Sequence, residues 1–120
     1  MNMDRRKIGR WGEDAAAKFL KQKRYRILDR NVSCRFGEID LIAEIGDYLV
    51  FVEVKLRKNA AFAEAKEYVT AAKQRRVILT AQYWLAAHPT GRQPRFDVVE
   101  VYGTEGKIDA IHHIENAFTL

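Results

Sequence analysis

Apolar residues recur at Ile8, Trp11, Ala15 and Phe19, with Ala16 and Leu20 widening the stripe, and this spacing predicts a helix over residues 4–23. Residues 25–32 suit a strand, with Ile27 among basic neighbours. Residues 36–44 and 48–56 alternate apolar and polar positions and predict two further strands. Between them Gly46-Asp47 suits a two-residue hairpin turn with glycine first. Residues 59–68 are compatible with a loop or with a first helical turn. Thr70 is a capping residue for a helix running to about residue 87, whose apolar stripe is Val77, Ile78, Ala81, Trp84 and Leu85. His88-Pro89-Thr90-Gly91 ends it. Residues 95–102 and 108–114 predict a second hairpin turning at residues 103–107. The order is α-βββ-α-ββ, an α/β sandwich around a mixed sheet.

The first hairpin concentrates the chemistry. Side chains alternate faces along a strand, which puts Ile39, Leu41, Ala43 and Ile45 on one face and Val50, Val52 and Val54 on the matching face. The opposite faces carry Glu38 and Asp40, then Glu53 and Lys55. With a two-residue turn, Ile45 opposes Tyr48. Counting back, Asp40 then opposes Glu53, and Glu38 opposes Lys55. Two ionised carboxylates about 5 Å apart repel by about 3 kcal/mol at an effective dielectric of about 20. A divalent cation between them removes that penalty, and hard oxygen ligands favour Mg²⁺ or Mn²⁺. Lys55 supplies a positive charge able to orient a water or to stabilise charge developing on a phosphate. The same residues also suit the solvent face of an amphipathic hairpin.

Charge along the chain bears on this choice. The net charge is only +5, but residues 1–36 hold eleven basic and four acidic side chains, and residues 37–56 hold one basic and five acidic. Residues 57–95 hold eight basic and two acidic, and residues 96–120 one basic and five acidic. An acidic island between basic segments fits an enzyme acting on a polyanion, with cations for phosphates and carboxylates for a metal. Solvated charged faces produce such runs too.

Other features narrow the class. With 120 residues, 48% hydrophobic and 31% charged, the chain fits a single domain over residues 1–120 with an unstapled core. One cysteine, Cys34, excludes an internal disulfide and reads as a small strand or loop residue rather than a catalytic thiol. His112 and His113 are strand neighbours pointing to opposite faces, without the partners zinc requires. The N-terminus lacks a signal-peptide apolar run, and nothing approaches a membrane span, so a cytoplasmic protein without membrane contact is expected.

GEID at residues 37–40 followed by VEVK at 52–55 resembles the PD-(D/E)XK nuclease superfamily, with Glu-Ile-Asp standing where the name has Pro-Asp. More closely, GRWGEDAAAKFL, RYRILDRN, GEIDLIA, LVFVEVKLR, the lysine in TAAKQRR, and RFDVV, in this order over residues 9–101, resemble the small bacterial YraN family. That family is regarded as similar to archaeal Holliday-junction resolvases and restriction endonucleases. The resemblance implies a restriction-endonuclease-like fold and a Mg²⁺- or Mn²⁺-dependent endonuclease hydrolysing DNA phosphodiesters, with branched or structured DNA included. It implies metal ligands at Asp40, Glu53, the Val54 carbonyl and Glu13, and a catalytic lysine at Lys55.

Independently, Glu13 lies at the edge of the first helix's apolar stripe, a position suited to reaching the hairpin or to a boundary surface charge. Lys73 lies on the second helix's apolar stripe, where a lysine is costly unless its ammonium meets phosphate, the carboxylate cluster or solvent. Arg10, Arg57, Lys58, Lys73, Arg75 and Arg76, with Arg5, Arg6 and Lys7, are the candidate backbone-binding cations. Asp97 is expected to pair with Arg95 or Arg76. Cleavage of a four-way junction would require two sites and hence a homodimer. The alternatives are a nucleic-acid-binding protein with an inactive nuclease fold and an RNA-processing nuclease.

Overall fold

Gly46 adopts φ +53, a conformation glycine takes without steric cost, and the turn it opens sets Ile45 opposite Tyr48. The computed structural model describes residues 5–57, 70–104 and 106–119, with side chains from residue 9 onward. Within these residues the order is α1 (Arg5–Gln22), β1 (Arg26–Cys34), β2 (Gly37–Ile45), β3 (Tyr48–Arg57), α2 (Ala71–Ala87), β4 (Gln93–Thr104) and β5 (Lys107–Phe118). The expected α-βββ-α-ββ order is therefore observed, with longer final strands.

The five strands form one sheet in the order β1-β2-β3-β4-β5. Only β3 and β4 run parallel; the other neighbours are antiparallel, so the sheet is mixed. α2 lies in the connection between the parallel strands, as a crossover requires. The two helices cover opposite faces. Ala15, Ala16, Ala17 and Leu20 of α1 pack on Leu41, Ala43, Val50, Val52, Val99 and Val101. The small alanines let the helix approach closely, and a Cβ on Gly12 would collide with the Leu56 side chain of β3. Val77, Ala81 and Trp84 of α2 pack on Ile39, Ile42, Leu49, Phe51, Phe96, Val98 and Phe118. β3 is thus buried on both faces, which explains its continuous apolar run from Leu49 to Val52. Thr70 caps α2 by accepting from the Lys73 N–H at 3.2 Å.

Two expectations for the hairpin fail, and both failures shape the site. First, the β2–β3 ladder runs from Ile45–Tyr48 only to Leu41–Val52. Asp40 does not face Glu53 across a continuing ladder, and Glu38 does not face Lys55. β2 beyond Leu41 stays paired with β1 alone, through Val32–Ile39 to Cys34–Gly37. Second, Ile39 does not share a face with Leu41. It packs in the α2 layer, whereas Leu41 packs in the α1 layer. Between the pairs Arg30–Leu41 and Val32–Ile39 lies Asn31 with φ +52, a break in extended geometry. Alternation along β2 breaks opposite this residue, between Ile39 and Leu41.

Candidate functional site

Where β2 leaves β3, the Val54 N–H has no strand partner from β2, and Asp40 supplies one: its Oδ2 accepts from Val54 N at 2.8 Å. This bond holds the Asp40 carboxylate in the fork between the strands. Burial, followed by the neighbouring charge of Glu53, pushes the Asp40 pKa up to about 7, against the lowering effect of the Val54 hydrogen bond. Glu13 and Glu38 add smaller repulsions. The expected proximity of the carboxylates is therefore electrostatically present, although the ladder does not produce it.

Glu53 follows Val52 on β3 and faces the α2 side, as Phe51 does. It is only 9% exposed. Its Oε1 meets Lys73 Nζ at 2.8 Å. Of the partners open to Lys73, the structure selects the carboxylate. Burial works against the Lys73 charge, but hydrogen bonds to Glu53 and Lys55 outweigh it and raise its pKa. Lys55 experiences the reverse: burial, then the adjoining Lys73, lower its pKa to about 8 despite the attraction of Glu53. Two lysines and two carboxylates thus form one coupled cluster.

Glu13 approaches the cluster from α1 without joining it. Its Oε1 is buried with no hydrogen-bond partner. Burial raises its pKa, while an Asn31 hydrogen bond and the Arg30 charge lower it. Among the described residues no three His, Cys, Asp or Glu side chains gather closely enough to hold a metal, so the three-carboxylate set Glu13, Asp40 and Glu53 is not assembled here. The donors that remain together are Asp40, Glu53 and the backbone of Val54.

The candidate cations separate. Arg76 and Lys73 line a cleft of about 720 Å³ that reaches Glu53 and Glu38. Arg75 is exposed on α2. Arg10 lines a smaller hollow with Glu13 and Asn31. Arg57 lies 3.7 Å from Glu100. Lys58 lies outside the described residues, as do the side chains of Arg5, Arg6 and Lys7. Cys34 is the last residue of β1 and lines the same cleft.

Sequence reasoning missed Asn31, whose positive φ has only the weak signal that asparagine tolerates it. It also read His113 as an ordinary strand residue. Instead Asp97, fully buried on the α1 side, accepts four hydrogen bonds. Arg95 donates two, at 2.9 and 2.8 Å, His113 Nε2 lies at 2.7 Å, and the Asn116 N–H donates at 3.0 Å. Lys23 Nζ lies 2.7 Å from His113 Nδ1, which makes Nδ1 the acceptor and Nε2 the donor to Asp97. Burial opposes the Asp97 charge, but these bonds hold its pKa below the ordinary value. Since Asp97 pairs with Val52 and Glu53 with Val98, this network lies on the far face of the sheet from Glu53.

The chain is a mixed α/β protein, a five-stranded sheet with a helix on each face, compatible with a restriction-endonuclease-like fold and carrying a carboxylate–lysine cluster at a ladder's end. It belongs to the family described as "Uncharacterised protein family UPF0102", the YraN family, which matches residues 12–101. It is 45% identical over 116 residues to the UPF0102 protein of Myxococcus xanthus, covering 96% of this chain and 91% of that protein. It is 46% identical over 116 residues to the UPF0102 protein of Pelotomaculum thermopropionicum, covering 95% and 97%. It is 50% identical over 115 residues to a UPF0102 protein of Symbiobacterium thermophilum, covering 94% and 97%. Among the described residues no helix is long and apolar enough to cross a membrane.

Proposed function

We propose that this protein is a divalent-metal-dependent nuclease that hydrolyses phosphodiester bonds of nucleic acid, DNA foremost. The observation that carries the reading is the fork: a carboxyl with its pKa pushed up to about 7 beside a second buried carboxylate. A lysine with its pKa lowered to about 8 stands in the same cluster. Such perturbation, with its stated causes, is the kind that functional sites use to tune acids and bases. The residues fit Mg²⁺ or Mn²⁺, because Asp40, Glu53 and the Val54 carbonyl are hard oxygen donors and because the repulsion they store is what a cation relieves. The Glu13 oxygen without a partner stands outside this donor set and adds a smaller repulsion to Asp40. When bound, the metal would supply Lewis acidity and an activated water. Lys55, with its pKa lowered to about 8, would orient the attacking water, and Lys73 holds Glu53 in place. Arg76 and Lys73 meet the phosphate backbone in the cleft.

A panel of duplex, single-stranded, flapped and four-way DNA and structured RNA, each with Mg²⁺ or Mn²⁺, tests this. Cleavage should vanish in Lys55→Ala and in Glu53→Gln while both variants melt cooperatively; wild-type cleavage by Glu53→Gln would remove Glu53 from the site. A second reading, a nucleic-acid-binding module without catalysis, is favoured by the Lys73 ammonium already neutralising Glu53. Mn²⁺ titration separates them, since a pure binding module requires no metal. Cleavage confined to the RNA arm would make the protein an RNA-processing nuclease.

A further inference from the structure

The cleft that reaches Glu53 has a second wall with no part in hydrolysis. β1 ends at Cys34 and β2 begins at Gly37, so Arg35 and Phe36 form a two-residue turn between them. This turn is fixed to α2. Cys34 Sγ donates to Thr80 Oγ1 at 3.8 Å, and a Cβ on Gly37 would stand 3.4 Å from Arg76 Cβ and Thr80 Oγ1. Thr80 in turn donates to the Arg76 carbonyl at 2.8 Å. The turn's two flanking residues thus sit against α2, and Phe36 lines the cleft with Lys73 and Arg76 of that helix.

The composition of the cleft is informative. Arg35, Lys73 and Arg76 supply positive charge, Glu38 and Glu53 supply carboxylates, with Glu53 paired to Lys73, and Phe36 supplies an aromatic plane. The Arg35 guanidinium stands 4.8 Å from the centre of the Phe36 ring. Cations alone suffice to hold a phosphate backbone; an aromatic ring beside them adds a surface for a planar group. A nucleobase is planar and is always joined to phosphate. The cavity of about 720 Å³ lies within the range of about 300–1,000 Å³ that holds small ligands, so it suits a nucleotide and not a double helix. A base inside a duplex has both faces stacked, and reaches such a seat only when it is unpaired.

We propose that Arg35 and Phe36 form a seat for one unpaired nucleobase, of DNA or RNA, adjoining the phosphate held by the carboxylate–lysine site. The seat makes strands with unpaired nucleotides the preferred substrate over continuous duplex. This rests on the nuclease reading for the placement of the phosphate, while the base contact itself is independent of catalysis.

Binding is measured by fluorescence anisotropy in EDTA with single-stranded DNA, single-stranded RNA and blunt duplex DNA of one sequence. Cleavage of the same strands is measured with Mn²⁺. Wild type should bind the single strands more tightly than the duplex, and the DNA-to-RNA ratio identifies the polymer. Phe36→Leu keeps an apolar side chain but removes the stacking plane; it should weaken single-strand binding about 5- to 150-fold and duplex binding less than about twofold. Phe36→Trp should restore single-strand binding. If Phe36→Leu fails to melt cooperatively, Arg35→Ala and Phe36→Trp carry the comparison, because Arg35 is exposed. Equal losses for single strand and duplex, no loss for either, or a wild-type preference for duplex overturns the seat. Phe36-dependent single-strand binding without cleavage under either metal would leave the seat standing and remove the hydrolytic reading. Metal-dependent single-strand cleavage equal in wild type and Phe36→Leu would do the opposite.

Discussion

Replacing Asp40 by Asn removes one charge from the fork while leaving an oxygen to accept the Val54 N–H. In the folded protein the Asp40 pKa is raised from 3.8 to about 7. Three pKa units correspond to about 4 kcal/mol, an upper bound on the cost of holding this carboxylate ionised. The site is half-buried, and Lys73 lies close enough to offset part of the repulsion, which brings the expected gain to about 1–2 kcal/mol. The sign follows from the direction of the shift. A carboxyl with a raised folded pKa binds its proton more tightly folded than unfolded, so its cost is absent well below pH 4, grows as pH rises towards about 7, and is complete above that. Asp40→Asn should therefore match wild type at about pH 3 and exceed its melting temperature by several degrees at about pH 8 in EDTA. Adding Mn²⁺ at about 100 times its Kd should stabilise wild type by about 2.7 kcal/mol and the variant much less. Thermal melts at both pH values, with EDTA and with Mn²⁺, decide the matter. A variant that is less stable at both pH values, with equal metal shifts for both proteins, would refute the reasoning and make Asp40 a structural strand cap.

Three other outcomes are expected. Nucleic-acid affinity should fall steeply with salt as condensed counterions are released, and Arg75→Ala with Arg76→Ala should weaken all sequences alike; a flat salt dependence would count against a backbone contact. Asp97→Asn should cost about 3 kcal/mol or more in urea unfolding, because its amide would face donors from Arg95, His113 or Asn116 in a buried site; a loss under about 1 kcal/mol would show the network to be dispensable. Because the folded pKa of Asp97 is lowered, its contribution is present above the ordinary carboxylate range and is lost as pH falls through the folded value, so the Asp97→Asn deficit should shrink in acid.

The pattern of apolar positions alone was enough to predict both helices, the five strands and their order, because the periods of helix and strand are properties of the local backbone. Thr70 and Gly46 likewise acted through their own conformations, one capping α2 and the other setting the pair Ile45–Tyr48. The acidic and basic residues of the GEID and VEVK stretches identified where chemistry would lie. Their arrangement was decided elsewhere. The β2–β3 ladder stops at Leu41–Val52 while β1 stays paired with β2 to Gly37, and opposite the Asn31 irregularity Ile39 enters the other core. That opening, and not a register count, is why Asp40 meets the Val54 N–H. Lys73 reached Glu53 only because α2 lies across the face that Glu53 occupies. The Asp97–His113 bond joins β4 to β5, and the turn that carries Phe36 is tied to α2 through Cys34 and Thr80, more than forty residues apart. Local periodicity carries no information about which distant surfaces will meet; burial of two apolar faces against one sheet decided that, and it assembled the site as a consequence.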